Sequence, residues 1–146
     1  MLPLEKAISI ALAAHAGQVD KAGVSYILHP LRIMQKMPTD ELMIIAILHD
    51  VVEDSTITFD YLRHEGFSDM IISALDAMTK RDGENYEDFI QRVKMNPNAR
   101  SVKIADIEDN MNTSRIEPSK ILTKIYGFGF PCIPSSGLNA FHILPC

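Results

Sequence analysis

Apolar residues recur at helical spacing along much of this chain, and one run is apolar on nearly every side. Residues 42–54 read Leu-Met-Ile-Ile-Ala-Ile-Leu-His-Asp-Val-Val-Glu-Asp. Because the run contains good helix formers and no Gly or Pro, it predicts a helix that is buried on most sides. On a continuous helix His49 and Glu53 lie one turn apart, as do Asp50 and Asp54. The pattern therefore predicts a patch of one imidazole and three carboxylates at the C-terminal end of a buried helix.

Shorter segments with the same period flank this run, and none of the chain shows a convincing alternation typical of strands. Pro30 would begin one helix and place His29 at its entrance, and Pro97 would begin another. Residues that favour the N-cap position precede the central run and three further segments: Thr39, Thr58, Ser68 and Asn85. The sequence therefore predicts an all-α, bundle-like domain.

Composition indicates one soluble domain followed by an irregular tail. A chain of 146 residues is long enough for a real core. Residues 1–126 are predicted to form the domain, because residues 127–146 contain three prolines and three glycines and no clear apolar period. The two cysteines, at positions 132 and 146, both fall in this tail, so no disulfide framework is expected in the domain.

Charge and hydropathy argue against two classes of function, general nucleic-acid binding and a membrane role, and they also bear on the expected cellular location. The net charge of −5, with no basic block, argues against a general nucleic-acid binder. The chain has neither an apolar run of membrane-spanning length nor a signal-peptide pattern at its N-terminus, so no membrane role and a cytoplasmic location are expected.

The carboxylates that end the apolar run need compensation, because burial removes their hydration and they repel one another. A divalent metal is the simplest compensation, and His29 and Asp106 would complete a ligand set with His49 and Asp50. The alternatives are a solvated helix end for the first cluster and a surface carboxylate for Asp106. Glu53 and Asp54 would then be placed for general acid–base work on an attacking water. His15, on an apolar stripe, is interpreted as a core or boundary histidine.

Four motifs resemble the hydrolase domain of RelA/SpoT-type alarmone enzymes, which belong to the HD metal-dependent phosphohydrolases and carry the signature His…His-Asp…Asp. The motifs are Ala14-His15-Ala16-Gly17-Gln18, Tyr26-Ile27-Leu28-His29-Pro30, Leu48-His49-Asp50-Val51-Val52-Glu53-Asp54 and Lys103-Ile104-Ala105-Asp106. The resemblance runs from about Leu4 to Ile116 and is specific in order and spacing. It implies an HD-domain helical bundle, and stand-alone members of this group are small alarmone hydrolases.

The resemblance also implies a role for each matching residue. The metal, usually Mn²⁺ in this family, would be bound by His29, His49, Asp50 and Asp106. Glu53 and Asp54 would activate the attacking water and assist proton transfer. The nucleotide would be contacted by Lys21, Asn110, Thr113 and Tyr126. The implied reaction removes pyrophosphate from the 3′ position of guanosine tetra- or pentaphosphate and yields GDP or GTP.

Other functions stay open at this point. The chain could be another HD hydrolase, such as a nucleotidase or phosphodiesterase, or a metal-binding domain without activity. Asp20 stands where members of the family often have a basic residue beside Lys21. The expected partner is a small nucleotide, and because this substrate is a polyanion, Arg32 and Lys103 are candidates to reinforce the field of the metal. The sequence does not indicate an oligomeric state.

Overall fold

A computed structural model of the protein describes residues 1–112, and it confirms the all-α prediction for this part of the chain. The helices are α1 (Pro3–Ala14), α2 (Leu28–Gln35), α3 (Asp40–Leu48), α4 (Val51–Asp54), α5 (Phe59–His64), α6 (Asp69–Met78), α7 (Tyr86–Met95) and α8 (Pro97–Met111). No strand occurs within residues 1–112, where an isolated β-bridge joins Val19 and Ser25 in the loop before α2.

Most predicted helix starts are confirmed by the hydrogen bonds of their first turns, but the start predicted at Pro30 is wrong, since α2 begins at Leu28 and His29 lies in its first turn. A side-chain oxygen accepts a backbone N–H three residues further on at each predicted N-cap, namely Thr39, Thr58, Ser68 and Asn85. Pro97 is the first residue of α8, and the Asn96 side chain accepts the N–H groups of Asn98 and Ala99 at 3.1 Å. These bonds satisfy N–H groups that have no partner inside their own helix.

Helix α3 lies at the centre of the bundle, as its apolar sequence predicts. Every residue from Ile44 to Leu48 is buried, and α3 packs against α1, α2, α6 and α8. A helix that meets neighbours on several sides has no face left for polar residues, which explains why its sequence lacks the usual polar stripe. This burial fixes the position of His49, the residue that follows α3.

The continuous helix predicted for residues 42–54 is divided in the structure. Helix α3 ends at Leu48, and α4 begins at Val51 after a turn formed by His49 and Asp50. The Nδ1 atom of His49 lies 2.8 Å from the carbonyl oxygen of Ala46, which the backbone N–H of Asp50 would use in a regular helix. The imidazole thus competes with the backbone for this acceptor. The turn places the predicted ligands His49 and Asp50 before the helix that carries Glu53 and Asp54.

Several predictions fall on residues outside the described range. They concern Thr113, Tyr126, the boundary at residue 126 and the tail of residues 127–146. Within the described part, no helix combines the length and the apolar character that crossing a membrane would require.

Candidate metal centre

Three parts of the chain bring the predicted metal ligands together. His29 comes from α2, His49 and Asp50 from the turn between α3 and α4, and Asp106 from α8. One ligand atom from each of His29, His49 and Asp50 lies within 4.8 Å of the others. Asp106 Oδ1 lies 3.1 Å from His29 Nε2 and 3.8 Å from His49 Nε2. The imidazoles and Asp106 are buried, whereas the Asp50 side chain is 25% exposed, so the cluster reaches solvent at Asp50.

Hydrogen bonds on the far side of each ring fix which nitrogen faces the centre. His49 Nδ1 lies 2.8 Å from the Ala46 carbonyl oxygen, which can only accept, so Nδ1 carries the proton. His29 Nδ1 lies 2.7 Å from Asp109 Oδ2 and is assigned as the donor for the same reason. In the neutral rings both Nε2 atoms therefore offer lone pairs to the centre, which is the arrangement that a metal-binding histidine needs.

The contacts around these lone pairs fit a cation at the centre. His49 Nε2 is buried and has no hydrogen-bond partner, although it lies 2.9 Å from Asp50 Oδ2. A neutral imidazole nitrogen and an ionised carboxylate oxygen at this distance repel one another unless a positive charge lies between or beside them. Two imidazole nitrogens and two carboxylates form a donor set that suits Mn²⁺, Fe²⁺ or Zn²⁺. His29, His49, Asp50 and Asp106 therefore fit a divalent metal.

When no ion is bound, the pKa shifts favour a positive charge on the His49 ring itself, next to ionised carboxylates. Burial acts against the ionised forms of His49 and Asp50, but their mutual attraction prevails and raises the pKa of His49 while lowering that of Asp50. Burial also opposes ionisation of Asp106, yet the adjacent rings of His29 and His49 and the ammonium of Lys103 lower the pKa of this carboxyl. The centre therefore favours ionised carboxylates around a positive charge.

Further side chains hold the two carboxylates of the centre. Tyr26 donates its hydroxyl to Asp50 Oδ2, and burial together with the Asp50 charge raises the pKa of Tyr26, so the phenol stays protonated. Lys103 Nζ donates to Asp106 Oδ2 at 2.8 Å, and Asn110 Nδ2 donates to Asp106 Oδ1 at 2.8 Å. Asn110 was expected to contact the nucleotide and Lys103 to add positive charge near it. In the structure both residues donate hydrogen bonds to Asp106.

Sequence reasoning assigned no role to Asp109, which the structure places directly behind His29. This carboxylate is buried, and it accepts from His29 Nδ1 and from the guanidinium of Arg32. Arg32 was a candidate to add positive charge near the substrate, but its guanidinium forms an ion pair with Asp109. The sequence feature that could have identified Asp109 is its place on α8, three positions after Asp106, where the structure buries both carboxylates.

Glu53 and Asp54 differ in their surroundings, although both side chains are exposed. The Glu53 carboxylate accepts the backbone N–H of Lys80, at a cleft of about 500 Å³ beside the loop between α6 and α7. Burial of part of Asp54 and the charge of Asp50 raise the pKa of the Asp54 carboxyl. The charge of Asp50 therefore acts on Asp54, whereas Glu53 is held by the neighbouring loop.

The loop between α1 and α2 carries the predicted basic contact. Lys21 is exposed there. Asp20 accepts the N–H groups of Ala22 and Val24 at 2.8 and 3.0 Å, so its carboxylate organises this loop. His15 is buried, as predicted.

Similar proteins found by comparison are named as GTP pyrophosphokinases, as guanosine-3′,5′-bis(diphosphate) 3′-pyrophosphohydrolases or as a bifunctional (p)ppGpp synthase/hydrolase. No family model matches the chain. It is 32% identical over 128 residues to a probable GTP pyrophosphokinase of Mycobacterium leprae, covering 79% of this chain and 16% of that protein. It is 29% identical over 122 residues to a guanosine-3′,5′-bis(diphosphate) 3′-pyrophosphohydrolase of Aquifex aeolicus, covering 75% and 17%. It is 31% identical over 132 residues to the bifunctional (p)ppGpp synthase/hydrolase SpoT of Escherichia coli, covering 80% and 19%. The chain thus spans less than a fifth of these relatives.

Proposed function

We propose that this chain, a relative of the RelA/SpoT-type enzymes of guanosine tetraphosphate metabolism, hydrolyses the 3′-pyrophosphate of guanosine tetra- or pentaphosphate. The products would be GDP or GTP and pyrophosphate. The observation that carries the proposal is the cluster of two imidazoles and two carboxylates, in which the buried His49 Nε2 has no hydrogen-bond partner. Relatives with pyrophosphohydrolase and with pyrophosphokinase names match this chain. The donor set favours hydrolysis, because such centres are typical of metal-assisted attack by water.

The proposed centre binds Mn²⁺ or a similar divalent ion through His29, His49, Asp50 and Asp106. When bound, the ion would act as a Lewis acid towards a phosphate oxygen and would make water more acidic. The protein's own contribution is a rigid arrangement, since the far nitrogen of each ring is hydrogen-bonded and Asp106 accepts from Lys103 and Asn110. The ligands would therefore need little rearrangement to bind the ion.

Asp54 and Glu53 are the proposed proton acceptors and donors. The raised pKa of Asp54 brings this carboxyl closer to the range in which a general base works well. Glu53 is oriented by the N–H of Lys80, which leaves its second oxygen available. Both residues lie in α4, the short helix that follows the turn at His49 and Asp50, and both are exposed to solvent, as a group that receives a proton from water must be.

The proposed nucleotide contacts are Lys21, Asn110, Thr113 and Tyr126. The chain is acidic and its proposed substrate is a polyanion, so positive charge near the site is limited. Arg32 and Lys103 are paired with Asp109 and Asp106. We therefore assign most of the attraction for phosphate to the metal and to Lys21.

The test is pyrophosphate release from guanosine tetraphosphate by protein loaded with Mn²⁺. Glu53→Gln and Asp54→Asn should retain the metal and the fold, and a variant that loses the general base should be slower by roughly 10² to 10⁴. Asp60→Asn, an exposed acid on α5, serves as the matched control and should keep the parent rate.

Two results would contradict parts of the proposal. A Glu53→Gln variant that hydrolyses at the parent rate would remove Glu53 from the chemistry. A parent protein that binds metal but releases no pyrophosphate would overturn the alarmone assignment, and a nucleotide panel would then distinguish another HD phosphohydrolase from an inactive metal-binding module.

A further inference from the structure

Asp109 and Arg32 form an ion pair behind His29, on the side of the ring that faces away from the candidate metal centre. Asp109, which is 2% exposed, accepts from His29 Nδ1 at 2.7 Å. Arg32 donates through Nε to Asp109 Oδ1 and through Nη2 to Oδ2, each at 2.9 Å. We infer that Asp109 and Arg32 are positioning residues that hold His29 ready to bind the divalent metal and thereby set the metal affinity. This inference depends on the proposed function in one respect, which is that the centre binds a divalent metal.

The bond pattern restricts the orientation of the His29 ring. Both oxygens of Asp109 are tied to the guanidinium, and a planar carboxylate held at two points cannot rotate away. The Nδ1–H of His29 therefore meets an acceptor in one fixed direction. The opposite nitrogen, Nε2, then faces the centre, where it lies 3.1 Å from Asp106 Oδ1. A carboxylate behind a ligating histidine fixes its tautomer and increases its basicity towards a metal.

Charge explains why the pair needs an arginine. A buried carboxylate without a cation would be costly, and the Asp109 side chain is only 3% exposed. The Arg32 side chain is 33% exposed, so its charge remains partly hydrated while it neutralises the carboxylate. A lysine would supply the charge without the two parallel bonds, because its ammonium is a single point of contact.

The same bonds argue against a primary role for Arg32 in binding phosphate. Two of its nitrogens are already committed to Asp109. Recruiting Arg32 to a substrate would leave a buried carboxylate without its cation. The pair is therefore better suited to holding a ligand of the metal than to contacting the nucleotide.

The test is calorimetric titration of the metal-free protein with Mn²⁺. Asp109→Asn keeps the size of the side chain and one acceptor but removes its charge, and it should weaken Mn²⁺ binding about 10- to 100-fold. Arg32→Lys should weaken binding less than Arg32→Met, because lysine restores the charge without the fixed geometry. The KM for the nucleotide at saturating Mn²⁺ should stay near the parent value in all three variants.

Two controls separate positioning from general stability. Val93→Ala removes buried volume from α7 and should lower the melting temperature while leaving the Mn²⁺ Kd unchanged. Asp60→Asn breaks an exposed ion pair with Arg63 and should change neither quantity. Metal affinity measured on folded protein is thus the readout that a merely structural role would not alter.

The possible failures are distinguishable. Folded Asp109→Asn protein that binds Mn²⁺ with the parent Kd would overturn the positioning role and leave the proposed hydrolase intact. Arg32→Met provides the same comparison if Asp109→Asn does not fold. A parent protein that binds no divalent metal would overturn the centre itself, and the positioning role with it.

Discussion

The proposed metal centre predicts that removing the divalent ion lowers the thermal stability of this protein. The centre holds two carboxylates and two imidazoles within a few ångströms, and His49 Nε2 is buried without a partner. Leaving a buried polar group unsatisfied costs roughly 1–3 kcal/mol, and a bound cation would relieve that cost. An ion that binds the native site and largely does not bind the unfolded chain stabilises the fold.

The size of the effect follows from mass action. Free metal at 100 times its Kd stabilises the native state by about 2.7 kcal/mol. For a domain of this size, each kcal/mol shifts the melting temperature by roughly 3–6 °C. We therefore expect Mn²⁺ to raise the melting temperature by about 10 °C relative to protein treated with a chelator.

Scanning calorimetry of the parent and of Asp50→Ala, each with chelator and with Mn²⁺, measures this shift. Asp50→Ala removes one ligand and should respond little to the metal, whereas Asp60→Asn should respond as the parent does. The reasoning would be refuted by a parent melting temperature that is the same with chelator, Mn²⁺ and Zn²⁺. An Asp50→Ala protein that shifts as much as the parent would refute the ligand assignment.

Two further predictions concern the stability of the bundle. Leu48→Ala should lower the free energy of unfolding by about 2–5 kcal/mol in urea titrations, because Leu48 is fully buried in the core, and Leu42→Ala at a partly buried position should cost less. The hydrogen bond from Arg92 lowers the pKa of Glu84 to about 2, so the stability that this ion pair adds is present above about pH 4.5 and is lost as the pH falls towards 2. The stability difference between the parent and Glu84→Gln should therefore shrink over that interval, and a constant difference in urea titrations would contradict the assignment.

Much of the fold was readable from the sequence, because the signals for these helices are local. An N-cap needs only a short polar side chain and an N–H three residues away, which is why Thr39 and Ser68 could be placed in advance. Burial of α3 was predictable because an unbroken apolar run is stable only when it is packed away from water in the protein core. His29, His49, Asp50 and Asp106 could be grouped through their chemistry and their resemblance to a known signature, and the structure brings these four residues together.

The tertiary structure decided how those residues are held. The turn at His49 depends on an imidazole that takes a backbone carbonyl, and helical periodicity contains no signal for that competition. The support from Asp109 joins residues 80 positions apart, and no local pattern in α8 specifies that its carboxylate will meet His29 and Arg32. Glu53 is likewise oriented by a backbone N–H of a loop 27 residues away. Residue types and local hydrogen bonds are encoded along the chain, whereas contacts of this kind exist only once the helices have packed.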